Sequence, residues 1–167
     1  GKVHDLNLQS CRGVKNVKSL GGVHTLNLRF CDSICDVSAL GTVVNLDLGY
    51  CYKIKDVKAL GDVHSLNLAG CNGVTDVSAL GRVHTLNLSC CPRITDVSAL
   101  GGLYSLNLRG GTGITDVSAL GGLHSLDLGG CSNVVSTLGL ENEHELDLTG
   151  TGVSDVSNHG RDNKLIL

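Results

Sequence analysis

The sequence predicts a repeat solenoid, with a parallel β-sheet of short strands on the concave face and short 3₁₀ turns or extended segments on the convex face. Three observations predict it. Leucines recur at steps of twenty, an x-Leu-x-Leu-x alternation keeps the same register, and aromatic residues make up 2% of a chain that is 41% hydrophobic. A core with one Pro, no Met and no Trp must be aliphatic, which suits many similar layers better than one irregular packing.

The repeat runs through the whole chain. Leu20, Leu40, Leu60, Leu80, Leu100 and Leu120 keep the period, as do Val23, Val43, Val63, Val83, Leu103 and Leu123. The pairs Leu26/Leu28 through Leu146/Leu148 hold the same register, a half-unit opens with Val3, Leu6 and Leu8, and Leu165 and Leu167 resume after one residue is lost near Thr151. Residues 1–167 are therefore read as a single solenoid of about eight 20-residue coils, roughly 40 Å long if strand spacing sets the rise.

Each segment of the unit has a physical assignment. The alternation forms a strand with leucines on one face and polar residues on the other. Asp36, Asp56, Asp76, Asp96 and Asp116 precede Val-Ser/Lys-Ala-Leu and are expected to cap a 3₁₀-like turn. Gly21, Gly41, Gly61, Gly81, Gly101 and Gly121 are expected to free the backbone for the return into the next strand. Twenty residues is too short a unit for long convex helices.

The segment Leu120 to Cys131, Leu-Gly-Gly-Leu-His-Ser-Leu-Asp-Leu-Gly-Gly-Cys, matches L-x-x-L-x-L-x-x-N/C, and the chain is identified on it as a leucine-rich repeat of the α/β-horseshoe type. Ile-Thr-Asp-Val-Ser-Ala-Leu at 94–100 and 114–120 resembles the short repeats of bacterial internalins. Cys in the Asn/Cys slot resembles the cysteine-containing repeats found behind F-boxes. Leu-Gly-x-Val-His-Thr-Leu-Asn-Leu is similar to repeats encoded by protists and large DNA viruses.

Six cysteines, Cys11, Cys31, Cys51, Cys71, Cys91 and Cys131, share one ladder position and read as buried structural thiols. Rungs about 4.8 Å apart fall within disulfide Cα range, but inward-pointing side chains would have to twist to bridge. Reduced thiols and the lack of an apolar signal core point to an intracellular, cytoplasmic setting. Cys35 and Cys90 lie off the ladder and receive no role.

No metal site and no cofactor are assigned. There is no C-x-x-C pair, and the histidines His4, His24, His64, His84, His124 and His144 lie seven residues before the cysteine ladder, at the other end of each strand. Stacked imidazoles could repel one another on protonation, or the histidines could simply be edge residues copied by repeat duplication. The ladder Asn7, Asn27, Asp47, Asn67, Asn87, Asn107, Asp127 and Asp147 is expected to stack its amides along the solenoid. Asp127 and Asp147 would then repel each other, unless solvent or a cation screens them. The sequon Asn87-Leu88-Ser89 falls in a strand and is discounted.

Catalysis finds no motif. Gly110-Gly111-Thr112-Gly113 lacks the Lys-Ser/Thr of a phosphate loop, and no Ser is framed as Gly-x-Ser-x-Gly. The expected function is a non-catalytic protein-interaction module that reads a protein partner across its concave sheet. Arg29, Phe30, Tyr50, Tyr104 and Arg109 are the candidate contacts, since aromatics and Arg dominate binding hot spots. Two alternatives stand beside it: the substrate-recognition part of a larger assembly, as the F-box resemblance implies, and a structural solenoid that self-associates.

Nucleic acid is not expected as a partner. Residues 1–60 carry a net +3 and residues 61–167 a net −6, and Arg12, Lys15, Lys18, Lys53, Lys55 and Lys58 read as a solvated convex ridge. No membrane span is expected, because no run of 18 apolar residues exists. Glu141, Glu143 and Glu145 are expected to mark the approach of the solenoid end. Both chain ends read as strands with an apolar inner face, so end-to-end homo-oligomerisation, or a missing flanking segment, is expected.

Overall fold

A computed structural model describes residues 3–140, 144–157, 159 and 164–167. Every x-Leu-x centre of the repeat becomes a three-residue strand. In chain order these are β1 (Asp5–Asn7), β2 (Thr25–Asn27), β3 (Asn45–Asp47), β4 (Ser65–Asn67), β5 (Thr85–Asn87), β6 (Ser105–Asn107), β7 (Ser125–Asp127), β8 (Glu145–Asp147) and β9 (Lys164–Ile166). They form one open parallel sheet in sequence order, so each strand pairs with the next coil's equivalent. Leu26 faces Leu46 and Leu46 faces Leu66, the register that the twenty-residue period demands. The last step is one residue shorter, pairing Glu145 with Lys164 and Leu146 with Leu165.

The alternation sorts the side chains as expected for a strand with one face inside. Leu26, Leu46, Leu66, Leu86, Leu106 and Leu126 are buried, while the flanking Thr, Ser, Asn and Asp are half-buried on the outer face. Leu28 and its counterparts, the Ile/Val row (Ile34, Ile54, Val74, Ile94, Ile114, Val134) and the Val row (Val37 to Val117) fill the interior. Each such side chain contributes about 1.5–3 kcal/mol by leaving water. Leu6, Leu8, Val14, Leu20, Val153, Val156 and Leu165, in the coils at either end, are only partly buried against this core.

The convex side carries 3₁₀ turns at Lys18–Leu20, Ser38–Leu40, Lys58–Leu60, Ser78–Leu80, Ser98–Leu100 and Ser118–Leu120. The aspartates do serve them, from one residue further out than a helix N-cap. Asp36 accepts the Ser38 N–H at 3.0 Å and the Ser38 hydroxyl at 2.6 Å, and Val37 stands between them. The coil after Ser118–Leu120 varies the theme: Thr137 takes the buried valine position, and Val135 and Leu138 are exposed.

Two expectations need correction. The turn glycines do not supply unusual backbone angles, since φ is −61° at Gly21 and −66° at Gly101. They are glycine because the next coil lies too close. A Cβ on Gly21 would run into the carbonyl oxygen of Ala39, and one on Gly101 into that of Ala119. The Asn/Asp ladder does not work by stacking amides either. Each side-chain oxygen accepts the backbone N–H two residues on: Asn27 from Arg29 at 3.0 Å, Asp47 from Gly49 at 2.8 Å, Asn107 from Arg109 at 2.9 Å. Only an acceptor oxygen is needed, which is why Asp and Asn alternate freely along the ladder.

Candidate functional site

Beyond each strand the chain bends inward through one left-handed residue. That row reads Ser10, Phe30, Tyr50, Gly70, Cys90, Gly110, Gly130 and Gly150, with φ between 56° and 72°. The bend is built from Asn27 accepting the Arg29 N–H, Phe30 donating its N–H to the Gly49 carbonyl at 2.9 Å, and Cys31 donating to the Leu28 carbonyl at 3.1 Å. Glycine fits such a backbone without cost, and a bulky residue does not. Four rungs accordingly carry glycine, while two consecutive rungs carry Phe and Tyr.

Their rings form an aromatic cluster on this rim of the sheet. Phe30 and Tyr50 stack with centroids 4.9 Å apart at 17°. Tyr52 meets Tyr50 edge-on at 6.3 Å and is 49% exposed. The Arg29 guanidinium lies over both stacked rings, 5.1 Å from Phe30 and 4.8 Å from Tyr50. A side chain at Gly70 would collide with the Tyr50 ring, so the next rung is cut back to make room. Tyr52 was not among the sequence candidates; its signal was its place two residues after Tyr50.

The other two candidates lie elsewhere. Tyr104 belongs to the histidine row at the opposite end of the strands, stacked between His84 at 4.8 Å and His124 at 4.6 Å. Arg109 is held by its own chain. Its Nε lies 3.0 Å from Asp127 Oδ2 and its Nη2 bonds Asp147, so it settles the expected repulsion between these paired aspartates. The hydrogen bond and charge of Asp127 raise the Arg109 pKa. At Asp147 burial pushes the pKa up, but the Thr149 hydroxyl and N–H and Arg109 outweigh it, and the net shift is downward. Arg109 is thus spent on intramolecular pairing, unlike Arg29.

Between the two rims the outer sheet face from β2 to β5 is a shallow floor of Thr25, Asn27, Asn45, Asp47, Ser65 and Asn67, continuing to Thr85 and Asn87. Of the convex basic residues, Arg12 and Lys58 approach Asp32 and Asp76 at 3.7 and 3.9 Å, as a solvated ridge would. Glu141 and Glu143 lie outside the described residues. Glu145 sits in β8 and pairs with Lys164 at 3.0 Å, and one further strand, β9, follows it among the described residues.

The cysteine ladder is interior, with a correction at its start. Cys31, Cys51, Cys71, Cys91 and Cys131 are buried, and each Sγ donates to the carbonyl 23 residues back, such as Cys71 to Leu48 at 3.1 Å. Cys11 is exposed, because no coil lies before it among the described residues. Burial pushes Cys51 and Cys71 up to about 12 and Cys91 to about 11, far from any reactive thiolate. Among the described residues His4, Asp5 and His24 form the one group whose metal-ligating atoms come within 4.8 Å of one another. No helix of the described residues is long and apolar enough to cross a membrane.

No protein-family model matches the chain, and comparison with curated proteins finds no match. Among solved structures it is similar to internalin C2 of Listeria monocytogenes, with a TM-score of 0.65 and 22% identity over 98% of this chain and 79% of that one. It is also similar to the functional domain of InlJ from Listeria monocytogenes, which includes a cysteine ladder, with a TM-score of 0.56 and 19% identity. That match covers 91% of this chain and 41% of the InlJ chain. At these identities the likeness is one of fold: the leucine-rich-repeat horseshoe of the internalins.

Proposed function

We propose that the protein is a non-catalytic protein-interaction module whose main contact is the rim cluster Arg29, Phe30, Tyr50 and Tyr52. One observation carries this reading. Phe30 and Tyr50 occupy left-handed backbone positions that Gly70, Gly110, Gly130 and Gly150 fill elsewhere in the same row. Strained residues that persist against an available glycine are a mark of functional surfaces. The cluster also has the chemistry of a hot spot: flat aromatic area beside an arginine whose guanidinium edges remain open to a carboxylate.

The polar sheet floor supplies a wet, weakly adhesive surface, so affinity would have to come from the rim. Residues 1–60, which carry the cluster, have a net charge of +3. A partner presenting an apolar side chain flanked by acidic groups fits both features. The histidine–tyrosine rim is the less favoured contact, since none of its residues holds a left-handed backbone.

The test is comparative capture from cell extract on immobilised wild type, a Phe30→Gly/Tyr50→Gly double variant and a Tyr104→Ser variant. The expected result is a protein retained by wild type and Tyr104→Ser but lost from the double variant. Binding should weaken as salt rises, because the acidic contact is screened. Partners retained equally by the double variant would overturn the proposal.

A further inference from the structure

The row of residues just before the strands reads His4, His24, Val44, His64, His84, Tyr104, His124 and His144. Val44 interrupts it and leaves His4 and His24 as a separate pair, with ring centroids 4.4 Å apart and planes tilted by 47°. From His64 to His124 the rings instead stack at 12–22°. The position after each of these residues is Asp5, Thr25, Asn45, Ser65, Thr85, Ser105, Ser125 and Glu145. A carboxylate therefore joins an imidazole pair only at the two ends of the row.

We propose that His4, Asp5 and His24 form a binding site for a divalent transition-metal ion of the Zn²⁺ or Ni²⁺ type. Zn–N and Zn–O bonds of about 2.0–2.2 Å place neighbouring ligand atoms about 3.0–3.5 Å apart. Asp5 Oδ1 and His4 Nδ1 are already 3.1 Å apart. The ligand atoms of all three residues lie within 4.8 Å of one another, so His24 has about 1.5 Å or less to travel, a side-chain rotation for an exposed residue.

The backbone beneath is fixed, because the N–H groups of His24 and Thr25 both donate to the His4 carbonyl, at 2.9 and 3.1 Å. Asp5 is oriented by hydrogen bonds with the Thr25 and His4 side chains. Two imidazoles and one carboxylate suit zinc, nickel or copper, whereas calcium and magnesium require an all-oxygen shell. The three residues are exposed, which leaves further coordination positions open to water or to a partner's side chain.

The molecule contains its own control. His124, His144 and Glu145 also set two imidazoles beside a carboxylate at the other end of the row, with Glu in place of Asp and the rings 4.8 Å apart. There Lys164 Nζ lies 3.0 Å from Glu145 Oε1, so an ammonium already holds the carboxylate. Two imidazoles beside a carboxylate thus give one site that can take a cation and one that already has one.

The proposal is tested by isothermal titration of the full chain with Ni²⁺ and with Zn²⁺ near neutral pH, after alkylating the exposed thiols. The expected result is one saturable site per chain. His24→Ala should weaken it at least tenfold, Asp5→Asn several-fold, and His144→Ala not at all. A saturating ion should also raise the melting temperature of wild type and not of His24→Ala. Circular dichroism of His24→Ala should match wild type, since the residue lies outside the core. Absence of saturable binding at millimolar ion, binding that survives His24→Ala, or equal loss in His144→Ala would each overturn it.

Discussion

The Phe30 ring stacks on the Tyr50 ring at 4.9 Å from two backbones that are both left-handed, with φ of 61°. A left-handed L-residue costs about 1–2 kcal/mol, and an aromatic pair returns about 0.5–1.5 kcal/mol. For Phe30 taken alone the backbone cost about matches what the shared ring pair returns, so removing its side chain is nearly neutral for the fold. Phe30→Gly should shift the unfolding free energy by no more than about 1 kcal/mol, and should cost on the order of 2 kcal/mol in partner binding. Chemical denaturation and a binding titration read the two quantities separately. A stability loss of about 3 kcal/mol would make Phe30 a packing residue instead.

The thiols should divide into two classes. Cys11, Cys35 and Cys90 are exposed, while the five ladder thiols are buried and donate to carbonyls. Ellman titration of the native protein near pH 8 should show three fast groups, with the others appearing only on unfolding. The buried thiols have pKa values raised above the ordinary 9.0. Their contribution to stability is full below 9.0 and is lost as pH rises towards 11–12. Five or more fast thiols at pH 8 would contradict the ladder geometry.

Much of this architecture was legible because it is written at short range. The strand centred on Leu26 follows from the alternation of Thr25, Leu26 and Asn27, and the Phe30/Tyr50 pairing follows from their spacing of twenty. Relationships that depend on side-chain reach were not legible. Arg109 was a candidate contact until its guanidinium proved long enough to reach the carboxylates of both following rungs. His4 and His144 are each followed by a carboxylate in sequence, and only the coil ending at Lys164 separates their environments. Likewise the turn glycines looked conformational, because a sequence does not reveal how closely the next coil's carbonyl approaches.

Gly101→Ala should destabilise through that approach alone. Alanine adopts the observed φ of −66° readily, but its Cβ would meet the carbonyl oxygen of Ala119. Forcing two coils apart at the centre of the stack should cost about 2 kcal/mol or more. Gly22→Ala is the matched control, because nothing lies within 4 Å of its Cβ and its φ is not left-handed. Thermal melts in which both variants behave alike would remove the steric account.

Acid should weaken the fold through the convex aspartates. The Ser38 hydroxyl and N–H hold Asp36 below the ordinary carboxylate value of 3.8, and Ser78 and Ser98 do the same for Asp76 and Asp96. For Asp116 the Ser118 N–H acts first and the hydroxyl second. A carboxylate with a depressed folded pKa binds protons more readily in the unfolded chain. Its stabilisation is full above 3.8 and is lost as pH falls through the lower folded value. Asparagine can replace the geometry without the charge, as Asn16 shows by accepting the Lys18 N–H at 3.0 Å. The Asp76→Asn/Asp96→Asn variant should therefore melt close to wild type at neutral pH, yet lose less of its melting temperature between about pH 5 and about pH 2.5. The same acid slope in both proteins would place the pH dependence elsewhere in the molecule.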